Sequence, residues 1–165
     1  MIRDILLLGN EDLYQPSREV SPEELAKAHQ VAQDLQDTML KFRCQYGFGR
    51  AIAAPQIGEF LRIIYMNLGD VTYTFINPRL EFGPETFELW DDCMSFPGLE
   101  VRLLRYAKTK ITYKDLDWQD CTLEFSGDLS ELIQHEYDHL DGILAVQRAI
   151  DNKSLRVNKE KAGCY

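Results

Sequence analysis

Positive charge is in deficit in this chain. Its 18 lysines and arginines stand against 27 aspartates and glutamates, a net charge of −9 over 165 residues. Nucleic acid and anionic membranes repel such a protein, so direct binding to either is not expected. No apolar run is long enough to cross a bilayer. Ile5–Leu8, with Asp4 before it, is also too short for a signal-peptide core. Cys44, Cys93, Cys121 and Cys164 form no CxxC pair and no spaced framework. Disulfides are therefore not expected, and the chain reads as cytoplasmic or resident in a comparable reducing compartment. Repeats, low-complexity tracts and Pro/Gly/Ser-rich linkers are missing too. With 45% apolar residues, what remains is one globular domain, 1–165, whose polar tail from about residue 151 is expected to be loose. Cys44 and Cys121 read as packing residues and Cys164 as an inert residue of that tail.

The elements can be placed from pattern. Residues 1–20 read as an extended arm with turns at Gly9-Asn10 and Pro16-Ser17. Ser21, Pro22 and Glu24 form the start signal of a helix, with a capping box. Leu25, Ala28, Ala32, Leu35, Met39 and Phe42 repeat at helical spacing, and Gly47 suits the stop. Strands are expected at Leu61–Asn67, Tyr73–Asn77, Phe87–Trp90, Glu100–Tyr106, Thr109–Lys114 and Cys121–Phe125. A second helix runs from about Asp128 to Asp141, capped by Ser126 or Asp128 and ended by Gly142. Leu129, Leu132, Ile133 and Leu140 make it central and buried. Helix, strands, helix is an α+β order with mainly antiparallel or mixed sheets.

Histidine is scarce, and its placement is informative. Of three, two lie four apart on the second helix, His135 and His139, with Glu136 between them. That spacing places both imidazoles on one face, able to reach one metal ion. Glu136 is about 100° round the helix from His135, beside the metal and free for acid–base work. His29, without ligand-type neighbours, reads as a surface or packing residue. A metal that activates water needs a third protein ligand and an open position. The segment after His139 offers only Glu160 and no histidine. Cys93, in Trp90-Asp91-Asp92-Cys93-Met94-Ser95-Phe96-Pro97-Gly98, is the soft donor in a suggestive setting, and as a thiolate it would complete a Cys-His-His set. Gly47–Gly58 is rich in small residues that permit close backbone approach. Gln56 can point its amide from there into a site, although the segment taken alone is a tightly packed turn.

Together these three segments resemble the peptide deformylase family, which carries Gly-x-Gly-x-Ala-Ala-x-Gln, then Glu-Gly-Cys-x-Ser, then Gln-His-Glu-x-Asp-His-Leu-x-Gly. Order and approximate spacing agree, and Gln134–Gly142 matches the third motif throughout. The resemblance also takes in the arm, the first helix and Ile76-Asn77-Pro78. It implies an α+β fold with a central metal-binding helix among mainly antiparallel sheets, and an N-terminal helix. Cys93, His135 and His139 then become the ligands of one divalent ion, Fe²⁺ in the cell, with Zn²⁺, Ni²⁺ or Co²⁺ also accepted. The implied reaction removes the N-formyl group from nascent peptides beginning with formylmethionine and releases formate. Glu136 moves the proton, while Gln56 and the Met94 backbone N–H stabilise the oxyanion. Transient ribosome association fits an enzyme acting on nascent chains. Asp138 is expected to make a structural hydrogen bond rather than to orient a ligand histidine.

The substrate contacts that the resemblance implies are Gly49, Arg50, Ala51, Asp92 and Glu131, and departures from the pattern concentrate among them. Asp91 and Asp92 replace Glu-Gly, Asp91 keeping the option of pairing with Arg105. Ala51 replaces the second glycine and Arg50 an apolar residue. Asp128 and Glu131 fall near positions lining the pocket for the methionine side chain. Two readings follow. Either these side chains face solvent or pair with one another, Arg50 with a nearby acid, and the enzyme is an ordinary deformylase. Or the pocket is polar, and the substrate is a smaller formylated amine or a cation drawn to Asp92. A metalloprotease would share the HExxH geometry but use a different third ligand. A metal-stabilised binding protein would have no use for Glu136 and Gln56.

Overall fold

The computed structural model describes residues 1–162, so Cys164 lies outside the described residues. The long helix α1 spans Leu25–Tyr46. A short 3₁₀ turn, Pro22–Glu24, leads into it, and Ser21 and Glu24 form the reciprocal cap that the sequence announces. Gly47 ends it with φ 77°, a conformation that costs other residues steric strain. The other helix, α2, spans Asp128–Leu140. Its start departs from expectation: Gly127 at φ 59° is the cap residue, and neither Ser126 nor Asp128 caps it through its side chain.

Among the described residues eight strands surround these helices: β1 Ala51–Ala53, β2 Ile63–Asn67, β3 Thr72–Phe82, β4 Thr86–Asp92, β5 Leu99–Tyr106, β6 Lys108–Lys114, β7 Asp120–Ser126 and β8 Leu155–Val157. They form two antiparallel sheets, ordered β1-β2-β3-β6-β7 and β4-β5-β8. The six expected strands are all present. β3 continues past the expected stop at Asn77 because Asn77 takes φ 50° and the register shifts between Ile76 and Arg79. The bulge absorbs Pro78, which has no N–H for the ladder. Asn77 then holds the entering arm through both backbone groups of Val20, each at 2.8 Å.

β1 and β8 were not expected. Ala51–Ala53 lies in what reads as a turn, and β8 lies in the polar tail. That tail is not loose within the described residues. Leu155–Val157 pairs with β5, Arg156 stacks 4.0 Å over Trp90, and Asn158 N–H donates to the Gly98 carbonyl. Two other local readings are corrected. Cys44 is exposed, not packed, because it sits on the outer face of α1. The arm contains a 3₁₀ turn, Glu11–Tyr14, after the bend near Gly9. His29 is exposed and hydrogen-bonds the Leu116 carbonyl.

One apolar cluster packs α1 (Val31, Leu35, Met39) against β1 and β2 (Ile52, Ile63). Another packs α2 (Leu132, Ile133, Leu140) against Ala53, Phe75 and Ile111 of the larger sheet. The helix carrying both histidines is thus buried on nearly every side, with Tyr137 its one half-exposed residue between Ser130 and Leu140. Gln134 fixes its register: its side chain donates to the Tyr106 carbonyl at 2.9 Å and accepts from the Tyr106 N–H at 3.0 Å.

Candidate metal centre and active site

The period of two along β4 and β5 turns Leu89, Asp91, Leu103 and Arg105 toward the interior, where α2 lies. Just past β4, Cys93 enters the same space. Its Sγ lies 3.3 Å from His139 Nε2. The donor atoms of Cys93, His135 and His139 all lie within 4.8 Å of one another, and all three residues are buried. One thiol and two imidazoles converging this closely are a donor set for a single divalent ion of the first transition row.

Asp91 orients the site. Its Oδ2 is 2.8 Å from His135 Nδ1, which leaves the other ring nitrogen to face the cluster. Arg105 supports it at 3.4 Å and bonds Asp138 at 2.6 Å, and Arg148 clamps Asp138 from the far side. Asp138 therefore makes structural ion pairs and touches neither histidine. Burial opposes charge on Asp91, yet His135 and Arg105 outweigh it and hold the carboxyl below its usual range. Burial also opposes charge on both imidazoles. At His135 the Asp91 and Cys93 side chains overcome it and hold the pKa well above the ordinary value, whereas His139 is pushed well below.

Glu136 is buried, and its Oε2 has no hydrogen-bond partner among the described residues. Burial raises its pKa to about 7. Gln56 sits in a 3₁₀ turn, Ala54–Ile57, next to β1. Its oxygen accepts from Ala53 N–H at 2.9 Å, which aims its nitrogen at Ser95 Oγ (3.1 Å) and Cys93 Sγ (3.5 Å). Met94 follows the cysteine directly and lines the same cleft. The cleft, of about 410 Å³, extends from His135 and Glu136 past Gly49, Arg50 and Ala51 to Glu131 and Asp92. Gly49 takes φ 115°, where a Cβ would lie 3.2 Å from Met94 Sδ, and Arg43 grips its carbonyl at 2.8 Å.

The candidate catalytic, substrate-contact and metal residues thus line the cleft or reach its donor cluster, whereas Asp128 lies outside the lining with its side chain exposed. Arg50 pairs with Asp128 at 3.0 Å and with Glu131 at 3.1 Å. Pairing is what the ordinary-deformylase reading expects; Arg50 and Glu131 stay at the cleft, while Asp128 turns outward. Asp92 is not a free attractor for a cationic substrate, because Lys161 holds it. Lys161 also reaches Glu100 at 3.3 Å and lines the cleft. The sequence carries no local sign of that role, because it depends on the tail returning along β5. Ser95, two residues after Cys93, anchors Gln56, a role that no local pattern marks.

The profile of the family described as Polypeptide deformylase matches residues 2–155. Over 152 residues the chain is 36% identical to a peptide deformylase of Dictyoglomus thermophilum, covering 92% of this chain and 95% of that one. The crystal structure of peptide deformylase from Thermotoga maritima is similar with a TM-score of 0.83 at 27% identity, covering 92% of this chain and 99% of that one. A Met-Ala-Ser-bound class I type b peptide deformylase from Acinetobacter baumannii is similar with a TM-score of 0.81 at 27% identity, covering 90% and 98% of the two chains.

Proposed function

This chain belongs to the peptide deformylase family, a family of hydrolases that remove the N-formyl group from nascent peptides, and from that membership we propose which of its own residues carry the reaction. Cys93, His135 and His139 hold the single metal ion that the family uses. When bound, a divalent ion acidifies water and polarises a carbonyl oxygen. Glu136 takes a proton from the attacking water and passes it to the amine as the formyl C–N bond breaks. Water thus adds across that bond, and formate and a free α-amine leave. The developing negative charge on the formyl oxygen receives the Gln56 amide and the Met94 backbone N–H. The longer of the two Gln56 contacts, 3.5 Å to Cys93 Sγ, leaves that hydrogen available to a better acceptor.

Supporting this reading most directly is one juxtaposition: a buried carboxylate oxygen without a partner, on Glu136, beside three converging metal donors. β1 and β4 are both edge strands, and Ala51 and Asp92 at their ends line the same cleft. An extended peptide backbone can pair with either edge. Fe²⁺ as the ion in the cell suits a donor set of one thiol and two imidazoles, and action in the cytoplasm on the emerging chain with transient ribosome contact fits a substrate that exists during synthesis. Metal analysis after anaerobic purification checks the first of these.

The test is formate release from formyl-Met-Ala-Ser by iron- or nickel-loaded protein, with Glu136→Ala as control. Turnover is expected in the parent and a fall of roughly 10²- to 10⁴-fold in the variant at unchanged metal content. Equal turnover in both would remove Glu136 from the reaction.

A further inference from the structure

The tail returns to both ends of the loop that carries Cys93. At one end, the Asn158 N–H donates to the Gly98 carbonyl at 2.8 Å, and a Cβ on Gly98 would lie 2.9 Å from Ala162 Cα. At the other end, Lys161 ion-pairs with Asp92, the residue before Cys93. Asp92 and Glu100 stand directly opposite each other on β4 and β5. Like charges so placed repel. Lys161 serves both, reaching Glu100 at 3.3 Å, while Arg156 and Asn158 hold Glu100 at 2.6 and 3.0 Å. Two carboxylates are thus balanced by two cations, Lys161 and Arg156, both supplied by the tail.

The two acids are not equivalent. Only 6% of the Glu100 side chain is exposed, against 32% of Asp92, which lines the cleft together with Lys161. Lys161 Nζ also stands 5.7 Å from the ring centre of Phe48, another lining residue. β4 is an edge strand and ends at Asp92. A peptide that pairs with this edge carries the residues after its formylmethionine past the Asp92–Lys161 pair. We infer that Lys161 is a specificity-determining residue: it cancels Asp92 and makes the cleft indifferent to the charge of the residue that follows formylmethionine. With Lys161 neutralised, Asp92 would face the peptide as an unbalanced carboxylate, drawing cationic residues and repelling acidic ones. The inference rests on the deformylase reading and gives the tail a part in what that reaction accepts.

Two readouts at low ionic strength test it. The first is kcat/KM for formate release from formyl-Met-Lys-Ser, formyl-Met-Ala-Ser and formyl-Met-Glu-Ser by nickel-loaded protein. The second is calorimetric binding of the same peptides to nickel-loaded Glu136→Ala protein, which reports selectivity without turnover. The parent is expected to treat the lysine and glutamate peptides alike, within about twofold. Lys161→Gln should favour the lysine peptide by about fivefold, through KM rather than kcat, and the preference should fade at high salt. Lys161→Arg, which keeps the cation, should restore the parent ratio, and Asp92→Asn added to Lys161→Gln should abolish the preference. A strong charge preference in the parent, or a Lys161→Gln effect equal for all three peptides, overturns the inference while the deformylase reaction stands. A charge preference that appears in binding with Lys161→Gln, with no formate from any peptide in the parent, would instead overturn the reaction and keep the role of Lys161.

Discussion

Asp91 is one methylene shorter than the glutamate it replaces, yet it bridges His135 at 2.8 Å and Arg105 at 3.4 Å. The shorter acid works because β4 carries it inward on the same face as Arg105, against the helix that holds His135. Removing its charge frees the ring. Asp91→Asn should weaken metal binding by roughly 10- to 100-fold, read as the chelator concentration that strips half the metal. Gln56 presents a different kind of dependence. Its oxygen is anchored on Ala53 N–H, so its nitrogen is aimed before substrate arrives. Gln56→Ala should lower kcat by about 10²-fold at unchanged metal content, as loss of one preorganised oxyanion donor does. An effect on KM alone would place Gln56 in binding instead.

Among the elements, α2 matters most, and a glycine beyond its end holds the arm against it. Gly142 sits at φ 70°, and a Cβ there would overlap the Tyr14 carbonyl. The Ser17 N–H donates to the Leu140 carbonyl in the same contact region. Gly142→Ala should therefore destabilise the fold by roughly 2–4 kcal/mol, measured as the shift of the urea midpoint, because the arm must move or the backbone must strain. The entry to α1 is sensitive to acid instead. The Arg18 side chain, then the Ser21 backbone N–H, hold the Glu24 carboxyl down at about 2 from 4.5. A depressed carboxylate contributes fully above its unfolded pKa and loses that contribution as pH falls through its folded one. Parent and Glu24→Gln should thus differ in stability at neutral pH and converge between about pH 4.5 and 2. A difference that persisted at pH 2 would place the contribution of Glu24 in packing rather than charge.

Across the whole molecule, the second sheet depends on the returning tail. Glu100 is buried on β5, and Arg156, Asn158 and Lys161, all from the tail, hydrogen-bond or ion-pair with it. The same segment brings Lys161 to Asp92 at the cleft. Truncation after Ile150 should lower Tm by on the order of 5 °C, for a loss of about 2 kcal/mol from unpaired groups. It should also make formyl-peptide KM sensitive to salt, because Asp92 then lacks its partner. Calorimetry and kinetics at two ionic strengths check both.

What the sequence determined by itself was local. The cap at Ser21, the stop at Gly47, the spacing of His135 and His139 and the alternation of β5 are encoded within a turn or two of chain, where backbone sterics and side-chain periodicity act. The metal triad was legible for the same reason, with Cys93 found by chemical type and by the resemblance. The tertiary structure alone decided how side chains from distant segments share charge. Arg50 lies between two acids of α2, Lys161 closes on Asp92, and Glu131 keeps one oxygen without a partner. Such pairings depend on strand order and on the return of the tail, which no local pattern specifies. They form because side chains gathered at a half-buried cleft settle against whatever opposite charge the fold brings within reach.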